Sequence, residues 1–570
     1  MTELDAFLEA RELLIRHRDD HDAACANFRW PELARFNWAL DYFDRYAEGN
    51  SRPALICLGD DGDAVQVSFD EMRRRSNQFA NHLRRLGAGR GDRIMVMLGN
   101  VPPLWEAILG CMKLGAVVIP ATTLLTSRDL DDRIIRGGVR YLIAGAEAAE
   151  RVEQAGQAAA LRGKLLVGGK RAGWSDYEQV GGEAVVVRPE GETLAADPFL
   201  LYFTSGTTAQ AKLVLHTHQS YPVGHLSTLY WIGLREGDLH YNISSPGWAK
   251  HAWSSVFAPW NAGATVFTYN YARFDGPRIL QTIAERRITT LCAPPTVWRM
   301  LILEDLSAYR FSLREIVSAG EPLNPEVIAA VKQATGITIR DGFGQTESTA
   351  LLGNSPGLPV KPGSVGKPLP GFTVSTLDVT SPVVREVDEG EVAVRLTPRR
   401  PTGLLTKYLN APEKNQEVFR DGWYRTGDVA RRDDGGYFWY VGRADDVFKS
   451  ADYRISPFEL ESEMLGHPAV AETAVVASAD PIRLAVPKVF VALKPGHTPS
   501  RELARDLFSF IQQNIAPYKR PRRLEFVELP KTISGKIRRV ELRQYDEKLR
   551  GSDSRGEQEY WESDFPDLRQ

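Results

Sequence analysis

At 570 residues the chain exceeds one ordinary core and predicts two or three domains. An apolar content of 43% with 25% charged residues excludes a disordered or fibrous chain, and a net charge of −3 provides no electrostatic footprint for nucleic acid. Cys25, Cys57, Cys111 and Cys292 are scattered, without metal-ligand or redox spacing, as expected of structural thiols in a reducing compartment.

The N-terminal stretch MTELDAFLEARELLIRHRDD is acidic and amphipathic, whereas a signal peptide needs a basic start and an apolar run. No segment reaches the roughly 18 unbroken apolar residues of a membrane span. Both features predict a cytoplasmic protein with no membrane span. Next, RIMVML (93–98) reads as a strand. Pro102 and Pro103 open a helix with Leu104, Ile108, Leu109 and Met112 on one face, Gly115 stops it, and 116–119 reads as the following strand. Residues 199–203 form another buried strand, directly followed by the polar run T-S-G-T-T (204–208) and Lys212. Further on, 313–318 reads as a strand, Asn324 and Pro325 as helix cap and first turn, and Gly336 as the stop. This alternation predicts a large α/β domain.

Near residue 440 the pattern changes. Gly435 and Gly436 punctuate a strand pair around YFWYVGR, and Ser456 with Glu459 forms a capping box for a helix toward Leu465. A strand (471–477), a helix (501–514) and a strand (524–529) complete a small α+β domain. The remainder, 546–570, reads as a charged and mobile tail, although Tyr560, Trp561 and Phe565 could dock it.

The T-S-G-T-T run begins where its strand ends, the position at which α/β proteins place ligand loops. Its hydroxyls, backbone N–H groups and Gly206 suit phosphate oxygens, with Lys212 supplying charge. It is not the G-x-x-x-x-G-K-[ST] loop, and alone it equally describes a polar surface turn. Four later segments accompany it: DGFGQTES (341–348), YRTGD (424–428), GRADDVFKSADYRI (442–455) and PKTISGKIRR (530–539).

In this order and spacing the five segments resemble the core motifs of the adenylate-forming superfamily of acyl-CoA synthetases, adenylation domains and luciferases, over about residues 35 to 545. SPGWAKHAWSSVFAPWNAGATVF (245–267) and CAPPTVWRML (292–301) are most similar to the medium-chain acyl-CoA synthetases. The resemblance implies a fold with a large multi-subdomain N-terminal adenylation domain (1–444) and a small mobile α+β C-terminal domain (445–545), ahead of the tail. It implies an acid–thiol ligase using ATP, Mg²⁺ and coenzyme A. A medium-chain, branched or aryl carboxylic acid would be activated as its adenylate and passed to CoA. The chain would act as a monomer or small homo-oligomer.

Residue by residue, the resemblance implies that Thr204, Ser205, Gly206, Thr207, Thr208 and Lys212 hold the ATP phosphates. Gly320, Glu321, Pro322, Asp341, Gly342 and Phe343 would line the adenine slot, Thr346 would meet the α-phosphate, and Glu347 would bind Mg²⁺, which a hard carboxylate oxygen suits. Asp428 and Arg443 would take the ribose, and Lys536 would stabilise the charge that builds up in adenylation. Asp445 would be the hinge, and Lys449, Ser450, Ala451, Asp452 and Arg454 would approach CoA. Trp248, Ala249, Trp253, Ser348 and Thr349 would line the acyl pocket. The chain departs from the motifs where Ala209 and Ala211 replace Gly and Pro, Phe343 replaces Tyr, and Asp452 replaces Gly. A carboxylate at 452 disfavours a nearby thiolate, which keeps open a ligase serving a carrier protein or another nucleophile. A nucleotide-binding protein without turnover is the remaining alternative, against which Lys536, Glu347 and Asp428 argue.

Overall fold

The computed structural model describes residues 2–204, 211–321, 323–379, 383–444, 446–450, 453–480, 484–517, 519–532 and 536–568. RIMVM becomes the strand Arg93–Met97, and its unbroken apolar run is explained by parallel neighbours on both edges, Val117–Pro120 and Tyr141–Gly145. The helix Pro102–Leu114 starts on its two prolines. It stops at Gly115, whose φ of 68° is a left-handed conformation that glycine takes without penalty.

Contacts divide the chain into two compact units. The first comprises Met1–Val374, Val394–Tyr424 and Asp434–Phe438; the second comprises Ser375–Ala393, Arg425–Asp433 and Trp439–Gln570. The architecture is α/β, with a separate small α+β region at the C-terminal end. No helix among the described residues is long and apolar enough to cross a membrane.

The first unit holds two large sheets. In one, Arg340–Gly344, Glu315–Ala319, Thr290–Cys292, Leu239–Asn242, Thr265–Asn270 and Pro53–Gly59 run parallel, with antiparallel strands at both edges. In the other, the order is Lys407–Tyr408, Lys212–Thr217, Pro198–Thr204, Val117–Pro120, Arg93–Met97, Tyr141–Gly145, Gly163–Val167 and Ser175–Asp176. Its first two neighbour pairs are antiparallel, and the rest are parallel. Carboxyl ends of parallel strands are where such sheets bind ligands. The helix Pro325–Thr335 follows the strand Glu315–Ala319; Asn324 occupies its N-cap position without a side-chain bond, and Gly336 ends it.

In the second unit, Val470–Asp480, Leu484–Leu493, Arg523–Phe526 and Glu559–Trp561 form a four-stranded sheet. Alternation along the first strand sends Val475 to one face, with Leu460, Leu507 and Phe508, and Ala474 and Val476 to the other, with Leu542. Ser456 caps the helix Pro457–Met464 through the N–H of Glu459, whose carboxylate pairs with Lys519.

The tail, expected from its charge to be mobile, is instead part of this unit. Residues 546–551 complete the helix Arg539–Gly551, and Glu559–Trp561 pairs antiparallel with Arg523–Phe526. It docks by charge as well as by Tyr560 and Phe565. Fully buried Lys488 places its ammonium 2.7 Å from Glu525, 3.0 Å from Asp546 and 3.1 Å from Glu559, and Arg550 lies 2.6 Å from Glu559. Removing one partner of a buried ion pair strands the others without compensation, at about 3–5 kcal/mol. Lys488→Met is therefore expected to lower the unfolding free energy of the second unit by about that amount in urea denaturation of the full chain; a loss below about 1 kcal/mol contradicts the ionic docking.

Candidate active site

The antiparallel pair Pro198–Thr204 and Lys212–Thr217 places Thr204 opposite Lys212, at the two stems of the predicted phosphate loop. Ser205, Gly206, Thr207 and Thr208 lie outside the described residues, as do Pro322, Asp445, Ala451 and Asp452. Along the second strand, Leu213 and Leu215 enter the apolar core, which leaves Lys212 and His216 on the opposite face. The Lys212 ammonium lies 5.7 Å from the centre of the Tyr408 ring.

At the carboxyl end of Arg340–Gly344 the chain makes the turn that carries Glu347. Gln345 and Ser348 close it: the Gln345 N–H donates to Ser348 Oγ at 3.0 Å, and the Ser348 N–H donates to Gln345 O at 3.2 Å. Three side chains from remote strands hold it from outside. Tyr424 donates to Gln345 Oε1 at 2.9 Å, His216 Nε2 donates to the Thr346 carbonyl at 2.8 Å, and Tyr408 donates to Glu347 Oε1 at 2.8 Å. Thr349 shares a 3.0 Å hydroxyl bond with Ser227. Tyr424 opens the YRTGD segment without a role of its own there, and Tyr408 and His216 belong to none of the five segments; the partners of Tyr408, Tyr424 and His216 are 61, 79 and 130 residues away.

Beside this turn stands the predicted adenine slot. Gly320 ends the strand Glu315–Ala319 with φ 106°, a conformation that side chains rarely adopt, and Glu321 pairs with Arg299 at 3.3 Å. Asp341 is buried. Its carboxylate accepts the N–H groups of Leu323 (3.2 Å) and Gly342 (3.0 Å), bracing the slot wall, and burial pushes its carboxyl up to about 8 despite those donors. Phe343 faces Leu352 in the neighbouring strand.

The residues predicted for the acyl pocket separate. Trp253 packs on Gly344, where an added Cβ would lie 2.4 Å from the indole, so this position accepts only glycine. Trp248 instead lines an apolar cavity with Val118, Leu200, Tyr202, His251 and Phe257. Ala249 begins the short helix Ala249–Ala252 between them, whereas Ser348 and Thr349 belong to the Glu347 turn.

In the second unit, Asp428 is buried on the strand Trp423–Arg432. Its Oδ1 accepts from Tyr440 at 3.1 Å and from Arg443 at 3.3 Å, while its own N–H donates to Thr426 Oγ1 at 3.1 Å. Burial first, and the Asp428 charge second, push the Tyr440 hydroxyl well above its usual range, so it remains a donor. Lys449 and Arg454 are register partners in the hairpin Phe448–Ser450 and Tyr453–Ile455, with Ser450 opposite Tyr453. Lys536 is exposed; its N–H donates to Thr532 Oγ1 at 3.1 Å, and its carbonyl accepts the Thr532 N–H at 2.7 Å.

Comparison with known proteins decides the family. A profile described as "AMP-binding enzyme" matches residues 43–398, and one described as "AMP-binding enzyme C-terminal domain" matches 459–536. The chain belongs to the AMP-binding enzyme family. A relative in Metallosphaera sedula, 4-hydroxybutyrate–CoA ligase 1, is 44% identical over 536 residues, spanning 93% of this chain and 94% of its own. Acyl-coenzyme A synthetase ACSM3, mitochondrial, of Rattus norvegicus is 41% identical over 522 residues, 89% of this chain and 90% of its own. Among solved structures, the anthranilate CoA ligase AuaEII with anthranoyl-AMP superposes with a TM-score of 0.82 at 30% identity, covering 91% of this chain and 98% of the other.

This AMP-binding enzyme buries neutral imidazoles in its first unit, among them His216 against the Glu347 turn. Burial drives His216 down to about 4, His218, His240 and His251 to about 3, and His225 well below the usual 6.5. The unfolded chain takes up these protons as pH falls below about 6.5, whereas the folded unit refuses them until pH 4 or lower, so acid removes stability across that window. Each such group contributes a slope of up to about 1.4 kcal/mol per pH unit. Circular dichroism is expected to show the first unit unfolding cooperatively between pH 6 and 4 with net proton uptake; a pH-independent melting temperature across that range contradicts it.

Proposed function

We propose that this AMP-binding enzyme is an AMP-forming acid–thiol ligase that activates a medium-chain or similar branched or aryl carboxylic acid and transfers it to coenzyme A. The observation that carries the reading is the convergence of the Lys212 ammonium and the Glu347 carboxylate on Tyr408, beside the stems of the loop at 205–210. A fixed cation and a hard anion at the carboxyl ends of a sheet suit a nucleoside triphosphate. Full-length similarity to two CoA ligases supplies the acid and the thiol.

The metal expected with ATP fits this donor set. No group of three or more His, Cys, Asp or Glu among the described residues forms a cage, whereas Mg²⁺ keeps several waters and needs one or two carboxylates besides the phosphates. Glu347 would hold it, and the bound ion would neutralise phosphate charge.

In the first half-reaction a carboxylate oxygen of the acid attacks the α-phosphorus, and the bond to pyrophosphate breaks. In the second, the CoA sulfur attacks the acyl carbon after losing its proton, and AMP leaves with the electron pair of the broken C–O bond. Lys212 and Thr204 hold the phosphates, Asp428 and Arg443 the ribose, and Lys536 the developing charge at the α-phosphate. The apolar cavity lined by Trp248, rather than Trp253, which packs on Gly344, gives the acid its setting, with Ala249 next to Trp248 in the chain. Asp445 is the hinge that brings Lys449–Arg454 to the thiol once Lys536 has acted, with the C-terminal domain beginning there. A cytoplasmic setting completes the reading, supported by four free thiols, three of them buried.

Incubation with ATP, Mg²⁺ and acetate, butyrate, 4-hydroxybutyrate, 2-methylbutyrate, octanoate or benzoate, with and without CoA, is expected to yield acyl-CoA and AMP only when CoA is present. Acyl-adenylate without thioester in its presence assigns a different acceptor. In the same assay Lys536→Ala lowers pyrophosphate exchange by about 10²- to 10³-fold. Asp445→Pro spares exchange and depresses thioester formation. Equal losses in both steps for both variants contradict the division of labour.

A further inference from the structure

Tyr408 is the least expected member of the site. It stands in the strand Lys407–Tyr408, opposite Val214 on the outer edge of the strand that carries Lys212 and His216. Asn415 clamps its backbone twice: the Tyr408 N–H donates to Asn415 Oδ1 at 2.8 Å, and Asn415 Nδ2 donates to the Tyr408 carbonyl at 2.8 Å. On either side, Thr406 and Leu409 donate to Leu215 and Leu213, both at 2.8 Å, and the Leu405 N–H donates to the Glu347 carbonyl at 2.7 Å. The 404–409 segment is thus stitched to the phosphate-loop stem along one edge and to the Glu347 turn along the other. The Tyr408 side chain is buried, so its ring and hydroxyl have fixed directions.

The two ends of that side chain do different work. The ring face attracts the Lys212 ammonium at 5.7 Å, inside the range in which a cation and an aromatic quadrupole interact. The hydroxyl donates to Glu347 Oε1 at 2.8 Å, occupying one carboxylate oxygen and fixing the carboxylate's rotation. Mg²⁺ tolerates little departure from octahedral geometry, so a carboxylate held in one rotamer before the ion arrives is worth more than a freely rotating one.

Building on the function proposed above, we infer that Tyr408 is the positioning residue of the nucleotide site, setting the metal-binding carboxylate with its hydroxyl and the phosphate-binding lysine with its ring. Neither role transfers a proton or forms a bond. Each is separable by substitution, because phenylalanine keeps the ring and drops the hydroxyl, whereas leucine drops both.

The test is calorimetric titration of the full chain with ATP across a Mg²⁺ series, without acid or CoA so that no turnover occurs, alongside thermal melting. Tyr408→Phe is expected to raise the Mg²⁺ concentration for half-maximal ATP binding by roughly 10-fold, the scale of one lost bond to a charged group, while Mg²⁺-free ATP affinity stays within about 2-fold. Tyr408→Leu is expected to show the same metal defect and also to weaken Mg²⁺-free ATP binding by about 3- to 30-fold. In a Glu347→Gln background, Tyr408→Phe adds no further metal defect. The inference is overturned if Tyr408→Phe keeps the wild-type Mg²⁺ dependence, or if both variants lose melting temperature and ATP affinity in parallel at every Mg²⁺ concentration, which describes mere packing. A wild-type chain that binds no ATP overturns the function and this assignment together, a result distinct from a wild type that binds Mg²⁺-ATP beside an unchanged Tyr408→Phe.

Discussion

The antiparallel strands Pro198–Thr204 and Lys212–Thr217 hold Thr204 and Lys212 opposite one another only as firmly as the strands themselves are held. Here the fixing element is the strand Lys212–Thr217. It pairs on one edge with Pro198–Thr204 and on the other with Lys407–Tyr408, and its pleat sends Leu213 and Leu215 into the core. The opposite face then has no choice about its occupants: Lys212 at the mouth, and His216 about 13 Å further along at the usual strand rise. His216 reaches across to the carbonyl of Thr346, and the neighbouring strand contributes Tyr408 to the next residue. Lys212 and the Glu347 turn are therefore positioned by one pleated surface.

That arrangement explains why so much neutral imidazole is buried nearby. A charged histidine at 216 would be costly without a carboxylate partner, so burial holds it neutral, with a proton on Nε2 for Thr346 and a lone pair on Nδ1 toward Ser220 at 3.2 Å. His240 between Thr290 and Ser254, and His251 against Asn100, repeat the pattern of a rigid ring with a defined hydrogen-bond direction. Rigidity is obtained at the expense of acid tolerance, a reasonable exchange for a site whose geometry must hold while phosphates enter and leave.

Local signals were legible in the sequence wherever their cause was local. The pairs of Pro102–Pro103 with Gly115 and of Pro325 with Gly336 mark helix ends because φ restriction and left-handed φ act on the residue itself. Thr204, Lys212, the Glu347 turn and Asp428 were singled out through motif order rather than through any property of the isolated residues. The roles of Tyr408, His216 and, within the YRTGD segment, Tyr424 were not legible, because they depend on partners far away in the chain. The Ser456–Glu459 box was half right: the serine caps the helix, but a lysine 60 residues on takes the glutamate. The tail was read as charged, and its charges are what tether it: Lys488 sits in an apolar run, VPKVFVAL, where it looks like the exposed residue of an alternating strand.

The buried charges of the second unit and those around Glu347 obey the same rule with opposite outcomes. Lys488 is enclosed by three carboxylates and has no further business with solvent or substrate, so its network closes and its contribution is to hold the tail. At Glu347 a carboxylate meets one phenol and the N–H of Leu405 meets its carbonyl, a donor set that among the described residues is too small for a metal on its own. A complete set would bind a cation permanently and leave nothing for the nucleotide to contribute. An incomplete one ties the affinity for any ion held there to the oxygens that a second ligand brings with it.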